Sequence, residues 1–145
     1  MGLFSKTCEY AIRAVFFIAH RTENGSKVGI KEIANGIGSP EYFLAKILQD
    51  LSRRGIIHST KGPHGGFFID ETNRKRTLFD VVDAIDGSGI FTGCGLGLKY
   101  CSEINPCPLH NQFKEIRNQI YLMLKNTPIE QFNEDLNLGI TALKK

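Results

Sequence analysis

The sequence has no apolar run that approaches the ~20 residues needed to cross a bilayer. Its most apolar early stretch, Ala14 to Ala19, is short and closely follows Glu9 and Arg13, which argues against a secretory signal. We therefore expect a cytoplasmic protein with no membrane partner. Because thiols stay reduced in the cytoplasm, the four cysteines are expected to be ligands or redox sensors rather than structural disulfides.

Arrangements typical of catalysis are also missing. No Ser/His/Asp constellation and no pair of carboxylates in a cleft can be identified, so the sequence predicts neither an enzyme nor a small-molecule substrate. The segment Gly93–Gly97 is similar to a dinucleotide-binding fingerprint, but no strand precedes it and no third glycine has the required spacing. There is no internal repeat and no low-complexity tract.

The composition is that of an ordinary globular protein, with 41% hydrophobic and 23% charged residues. A chain of 145 residues predicts one compact unit, or a small domain with a helical arm. The charge is distributed unevenly: residues 1–76 contain twelve Lys and Arg against seven Asp and Glu, whereas residues 77–145 contain six against eight. This asymmetry favours a module that contacts phosphates through its first half.

The first half has the pattern of a helix-turn-helix. Ser5 is placed to cap a first helix, and a short second helix follows and is expected to break over residues 35–38. Ser39 then suits the N-cap of a third helix, with Pro40 at its first position and Gly55 at its end. The apolar stripe of this helix consists of Phe43, Leu44, Ile47, Leu48 and Leu51.

A β-hairpin and a further helix are predicted next. Residues 56–59 and 66–69 are typical of two strands, with residues 61–65 as the hairpin tip, which corresponds to a wing. Thr77 with Asp80 predicts the start of another helix that ends at Gly87. The first domain is therefore residues 1–87.

The remainder divides into a loop and a helical region. Residues 88–107 have no period, and a structureless segment of this length in a small domain usually has a function. Residues 108–145 are predicted to be helical, with a long amphipathic helix that suits a partner helix, followed by a last helix opened by a capping box at residues 127–130. The apolar stripe of the long helix is Leu109, Phe113, Ile116, Ile120 and Leu124. The fold class is thus mainly α with a small β-hairpin wing, a winged helix-turn-helix with a long C-terminal dimerisation helix.

Three cysteines lie in the glycine-rich loop, at positions 94, 101 and 107. Thiolates are soft ligands that suit zinc, copper(I) and iron–sulfur clusters, and the wide spacing differs from the short knuckles of structural zinc sites. Candidates for a fourth ligand are His110, Glu9 and Cys8. Cys8 is expected to be a small core or surface residue, although the helix N-terminus would lower the pKa of its thiol and make it a redox candidate. Ordinary loop thiols are the alternative for the other three.

A helix-turn-helix presents the N-terminal part of its second helix to the major groove, and the wing adds contacts to phosphate or the minor groove. The candidate DNA-binding residues are Ser39, Glu41, Tyr42, Lys46 and Gln49 in the helix and Lys61, His64 and Gly65 in the wing.

These residues resemble a known family, the winged-helix regulators typified by the iron–sulfur cluster regulator IscR and the nitric-oxide-sensing repressor NsrR. The resemblance is carried by residues 4–14, by residues 48–55 with the wing at 61–67, and by the cysteines followed by Pro108-Leu109-His110. It implies a homodimer that binds double-stranded DNA, with a [2Fe–2S] or [4Fe–4S] cluster on Cys94, Cys101 and Cys107. IscR-like members take a fourth ligand at the position of His110, and NsrR-like members take one at the position of Glu9 from the partner.

The expected function is a transcription regulator, most often a repressor in such families, whose affinity for its operator depends on an iron–sulfur cluster. One alternative is a regulator without a cluster that responds through its thiols or a protein partner. A second alternative is a small iron–sulfur electron carrier.

Overall fold

The computed structural model describes residues 2–145 and begins with three helices and a hairpin. These elements are α1 (Lys6–Arg21), α2 (Ile30–Ile37), α3 (Glu41–Arg53), β1 (His58–Thr60) and β2 (Gly66–Phe68). The second half contains α4 (Glu71–Arg74), α5 (Leu78–Asp86), α6 (Gly89–Thr92), α7 (His110–Lys125) and α8 (Asn133–Asn137). The strands are antiparallel, with His58 opposite Phe68. The predicted fold class, mainly helical with a β-hairpin wing, is confirmed.

Helix α1 is the centre of the core. Its N-cap is Ser5, as predicted, whose hydroxyl accepts a hydrogen bond from the Cys8 amide at 3.1 Å. Residues at three- and four-residue spacing place a continuous apolar face inward, and α2, α3, α5 and α8 pack around it. The fully buried residues of α1 are Cys8, Ala11, Ala14, Val15, Ile18 and Ala19.

The turn of the helix-turn-helix lies later than the sequence predicted. Helix α2 continues through Gly36 to Ile37 and ends at Gly38, which has the positive φ of 70° that favours glycine. Gly36 is tolerated inside the helix because the Phe17 ring occupies the space of a side chain; a Cβ there would lie 2.1 Å from the ring. Helix α3 begins at Glu41 with Pro40 as its N-cap, so the prediction of Ser39 as N-cap is wrong by one residue.

The strands of the wing are shorter than predicted. Ile56 and Ile57 precede β1 and belong to the hydrophobic core instead. A short third segment joins the hairpin, because the amide and carbonyl of Val28 exchange hydrogen bonds with Phe67 at 3.0 and 2.8 Å. The hairpin is therefore anchored to the chain that leads into α2.

The second half folds back onto the first. Helix α5 ends at Gly87 as predicted, but the capping box at Thr127 is wrong. The carbonyl of Thr127 accepts from the Leu78 amide at 3.0 Å and the amide of Ile129 donates to Arg76 at 2.8 Å, so this segment bonds to the start of α5 and the last helix begins at Asn133. Over residues 2–145 no helix is both long enough and apolar enough to cross a membrane.

Candidate functional site

The outer side of α3 carries four of the eight residues predicted to bind DNA. Glu41, Tyr42, Lys46 and Gln49 are exposed because the apolar residues of α3 occupy its inner face. Tyr42 is 79% exposed, so its ring and hydroxyl are accessible from the outer side of α3. The arrangement presents one amide, one ammonium and one phenol on the same side of the helix.

Ser39 does not share this surface. Only 9% of the residue is exposed, and its hydroxyl donates to the Pro40 carbonyl at 3.1 Å. The sequence placed Ser39 at the N-cap of α3, whereas Pro40 occupies that position. The assignment of Ser39 as a DNA-contacting residue stays a prediction.

The wing presents Lys61 and His64 to solvent at the hairpin tip. Gly65 is half-buried, and a Cβ at this position would lie 2.3 Å from the Thr60 carbonyl oxygen. Closure of the hairpin therefore requires glycine here, whether or not the residue touches DNA. Between the wing and α3 lies a groove of about 300 Å³, lined by Ala45, Gln49, Ser52, Ser59 and Phe67.

A polar network that the sequence analysis missed supports the base of the wing. His58 Nε2 lies 2.9 Å from Asp70 Oδ2, and the side-chain amide of Asn73 donates to the Gly55 carbonyl at 2.6 Å. The hydrogen bond that the backbone amide of Asn73 donates to Asp70, followed by the contact with His58, lowers the pKa of Asp70. Asp70 three residues before Asn73 is an N-cap pattern that could have been recognised.

The cysteine loop forms two donor pairs. Cys94 Sγ and Cys107 Sγ lie 3.9 Å apart, and Cys101 Sγ lies 3.2 Å from His110 Nδ1. The three cysteines are half-buried, and His110 is only 7% exposed at the start of α7. The loop thus brings each predicted cysteine close to a second donor, and His110 joins the set.

The backbone of the loop also points toward sulfur. The amide of Leu96 lies 3.4 Å from Cys94 Sγ, and hydrogen bonds from the amides of Leu96 and Leu98 lower the pKa of the Cys94 thiol. Amide groups directed at a thiolate stabilise its negative charge.

The donor pairs do not converge on one point. Within the part of the chain that the structure describes, residues 2–145, no three His, Cys, Asp or Glu side chains are placed to hold a single metal ion. The arrangement is two separate pairs rather than one group of four.

Cys8 is a core residue, which was one of the two interpretations of it. It is fully buried between α1 and α5, and burial, followed by the nearby Asp86 carboxylate, raises the pKa of its thiol to about 12. The expectation that the helix N-terminus lowers this pKa is wrong because desolvation and the Asp86 charge outweigh the helix dipole. Cys8 is therefore a core thiol and a poor redox candidate. Glu9 lies on the same helix and pairs with Lys6 at 3.4 Å.

Helix α7 has two distinct faces. Its inner face contacts the start of the cysteine loop: Arg117 donates to the Gly93 carbonyl at 2.6 Å, and the Phe113 ring covers Gly95. The sequence analysis missed Arg117 because a charged residue interrupts the apolar period. The predicted apolar stripe is divided, since Phe113, Ile120 and Leu124 face their own chain, whereas Leu109 and Ile116 are exposed.

Comparison with known proteins places this arrangement in a family. A family model named Rrf2, described as an iron-dependent transcriptional regulator, matches residues 4–135. A relative from Aquifex aeolicus, described as a helix-turn-helix-type transcriptional regulator, is 35% identical over 130 residues, which cover 88% of this chain and 89% of the relative.

Two solved structures share the fold. CymR, the global cysteine regulator of B. subtilis, matches with a TM-score of 0.73 and 18% identity, over 92% of this chain and 98% of CymR. IscR of T. potens matches with a TM-score of 0.71 and 20% identity, over 95% of this chain and 90% of IscR. The resemblance to IscR-like and NsrR-like regulators is confirmed, and the chain belongs to the Rrf2 family, whose members are DNA-binding transcriptional regulators and not enzymes.

Proposed function

We propose that this protein is a cytoplasmic, homodimeric repressor whose affinity for its operator changes when an iron–sulfur cluster binds in the cysteine loop. The proposed ligands are Cys94, Cys101, Cys107 and His110. The proposal rests on the two donor pairs: Cys94 Sγ and Cys107 Sγ lie 3.9 Å apart, and Cys101 Sγ lies 3.2 Å from His110 Nδ1.

The spacing of Cys94 and Cys107 fits a shared metal atom. A tetrahedral ion bound at about 2.3 Å by two thiolates places the sulfur atoms roughly 3.8 Å apart. The Cys94–Cys107 distance of 3.9 Å agrees with this value. In a [2Fe–2S] cluster each iron takes two protein ligands, so two pairs match its requirement better than that of a [4Fe–4S] cluster, where each iron takes one. When bound, the cluster supplies a centre that reacts with oxidants and nitric oxide.

His110 is favoured over Glu9 as the fourth ligand. His110 already lies against Cys101, is nearly buried, and projects from the first residue of α7, so its ring needs little reorientation. Glu9 is engaged with Lys6 on α1 and would have to act from a second copy of the chain.

The exposed face of α7 supports the homodimer. Leu109, Ile116 and Met123 are spaced by seven residues and are between 44% and 56% exposed. An apolar line with this repeat is the seam of a pair of packed helices. A second copy of the chain would bury this line, in keeping with the long C-terminal dimerisation helix that the sequence predicts.

Contacts within the chain lead from the loop to the DNA-reading surface. Phe91 of α6 packs against Phe79 of α5 with ring centroids 5.4 Å apart. At the other end of α5, Asp86 accepts a hydrogen bond from the Ser5 amide at 2.9 Å, next to the start of α1. Because α1 packs on α2 and α3, a change in the loop can shift the helix-turn-helix. A coupling of about 1–3 kcal/mol would change operator affinity roughly 5- to 150-fold.

The cluster is tested by anaerobic purification from iron-replete cells, followed by iron and sulfide analysis and a visible spectrum. We expect a coloured protein that bleaches with nitric oxide; a colourless protein without iron or sulfide contradicts the proposal. Cys101→Ser should abolish the colour, whereas Cys8→Ser is the matched control and should retain it. His110→Ala should weaken the colour and Glu9→Ala should not, and the reverse result assigns the fourth ligand to the partner.

A thiol-based regulator is the second candidate, supported by the 3.9 Å approach of Cys94 Sγ and Cys107 Sγ. Peroxide would oxidise the two thiols to a disulfide, taking two electrons and two protons and leaving water. This candidate predicts that peroxide changes the operator affinity of cluster-free protein and that dithiothreitol reverses the change. If peroxide leaves the operator affinity of cluster-free protein unchanged, the thiol-based regulator is excluded.

A further inference from the structure

We propose that Arg117 positions the cysteine loop and is the positive counter-charge to its thiolates, so that it controls the rate at which the cluster is released. This inference rests on the proposed function and adds to it a residue outside the ligand set.

The first observation is the burial of the guanidinium. Arg117 is 9% exposed, and its Nη1 donates to the Gly93 carbonyl at 2.6 Å, one residue before the ligand Cys94. Its Nε is buried and has no hydrogen-bond partner. Arginine is thus held at the loop by one strong contact, with donor capacity left over.

The second observation is the missing counter-charge. Over residues 2–145, the ion pairs within 4.0 Å do not include Arg117. A buried cation without an anion is costly and is normally compensated by a partner. The loop that Arg117 contacts at Gly93 can supply negative charge, because its cysteines become thiolates when they bind metal. The unbalanced guanidinium is therefore explained if the loop is occupied by an anionic centre.

The third observation is that the neighbours of Arg117 hold the same segment. Phe113, Arg117 and Tyr121 follow each other at four-residue spacing on α7. A Cβ on Gly95 would lie 2.8 Å from the Phe113 ring, and the Tyr121 ring centroid lies 5.6 Å from that of Phe91. Helix α7 therefore grips residues 91–95 at three points, with Arg117 in the middle.

The test compares Arg117→Met, which keeps the length but loses the charge, with Arg117→Lys, which keeps the charge but loses the planar fork. Release of the cluster to a chelator should be about 10- to 100-fold faster in Arg117→Met and intermediate in Arg117→Lys. The midpoint potential should fall in Arg117→Met, because a nearby cation favours the added electron, and should be largely restored in Arg117→Lys. Lys31→Met removes an exposed charge on α2, outside the loop and outside α7, and is the control, with wild-type release expected.

Wild-type release and potential in Arg117→Met would overturn the counter-charge role. The positioning role has a separate readout in cluster-free protein, where protease cleavage within residues 94–109 should be several-fold faster in Arg117→Met. Equal cleavage rates overturn that role whether or not the wild type binds a cluster. A wild type that never carries a cluster defeats the proposed function, while faster cleavage of the variant would still support positioning.

A second variant avoids any misfolding caused by loss of Arg117. Gly95→Ala should accelerate cluster release because its methyl group meets the Phe113 ring, and Phe113→Leu in the same chain should reverse part of the effect. Gly89→Ala is the matched control, since its methyl group would enter open space and its φ lies outside the positive range. Equal rates of cluster release from Gly95→Ala and Gly89→Ala would refute the proposal that α7 holds the loop in place through Phe113.

Discussion

Ile116→Ala should weaken the homodimer without unfolding the chain. Ile116 lies near the middle of the exposed apolar line on α7 and is 56% exposed in the single chain. Burying a whole isoleucine side chain contributes about 1.5–3 kcal/mol. The part that remains for a partner to cover is about half of this, or roughly 1–1.5 kcal/mol for each copy.

A twofold dimer contains the residue twice, so the loss is up to about 2–3 kcal/mol. Because about 1.4 kcal/mol corresponds to a factor of ten, the dissociation constant should rise roughly 30- to 150-fold. The free energy of unfolding of the monomer should hardly change, since the removed atoms face solvent in the isolated chain.

The assay is sedimentation equilibrium of wild type and variant over a range of concentrations. Leu122→Ala is the matched control: the residue is on the same helix and 53% exposed, but it lies about 100° away from the line that contains Ile116. We expect Leu122→Ala to dimerise like the wild type. Equal weakening by the two substitutions, or none by Ile116→Ala, refutes α7 as the seam.

Three further predictions follow from the fold and the DNA-reading surface. Lys46→Gln and Lys61→Gln should each weaken operator binding at every sequence tested and reduce the slope of log affinity against log salt by about 1, measured by fluorescence anisotropy; an unchanged slope removes the residue from the interface. Burial of the protonated Cys8 thiol should contribute to the free energy of unfolding below pH 9, and this contribution should decline as the pH rises toward about 12, because the pKa of Cys8 is raised in the folded state. In cluster-free protein, iodoacetamide should label Cys8 far more slowly than Cys94. Rapid labelling of Cys8 would contradict its burial. Ile18→Ala should lower the free energy of unfolding by about 2–5 kcal/mol, because the side chain is fully buried, and a smaller loss in urea titration would mean that the core relaxes around the cavity.

Local signals predicted the elements but not all of their ends. Gly87 and Gly55 mark helix ends correctly because a positive φ is a local requirement that the sequence states directly. The helix boundaries predicted from Gly36 and Thr127 are wrong because the roles of these two residues depend on distant parts of the chain. Gly36 lies inside a helix because a ring from another helix needs its space, and Thr127 bonds to α5 instead of capping a helix.

The same division applies to the candidate site. The cysteine spacing and His110 were visible along the chain, whereas their division into two pairs depends on how the loop returns to α7. Arg117 could not be found from a pattern of apolar residues, because its role comes from a carbonyl 24 residues earlier.

Taken alone, the order of residues determined the winged helix-turn-helix, the basic first half and the thiol-rich loop, since periodicity, turn residues and ligand type are properties of short segments. Tertiary structure decided which thiols lie together, which charge is left buried, and which face of α7 remains open. These depend on atoms far apart in the chain that meet only when the core closes, so the protonation of Cys8 and the burial of Ser39 follow from packing and not from their neighbours in sequence.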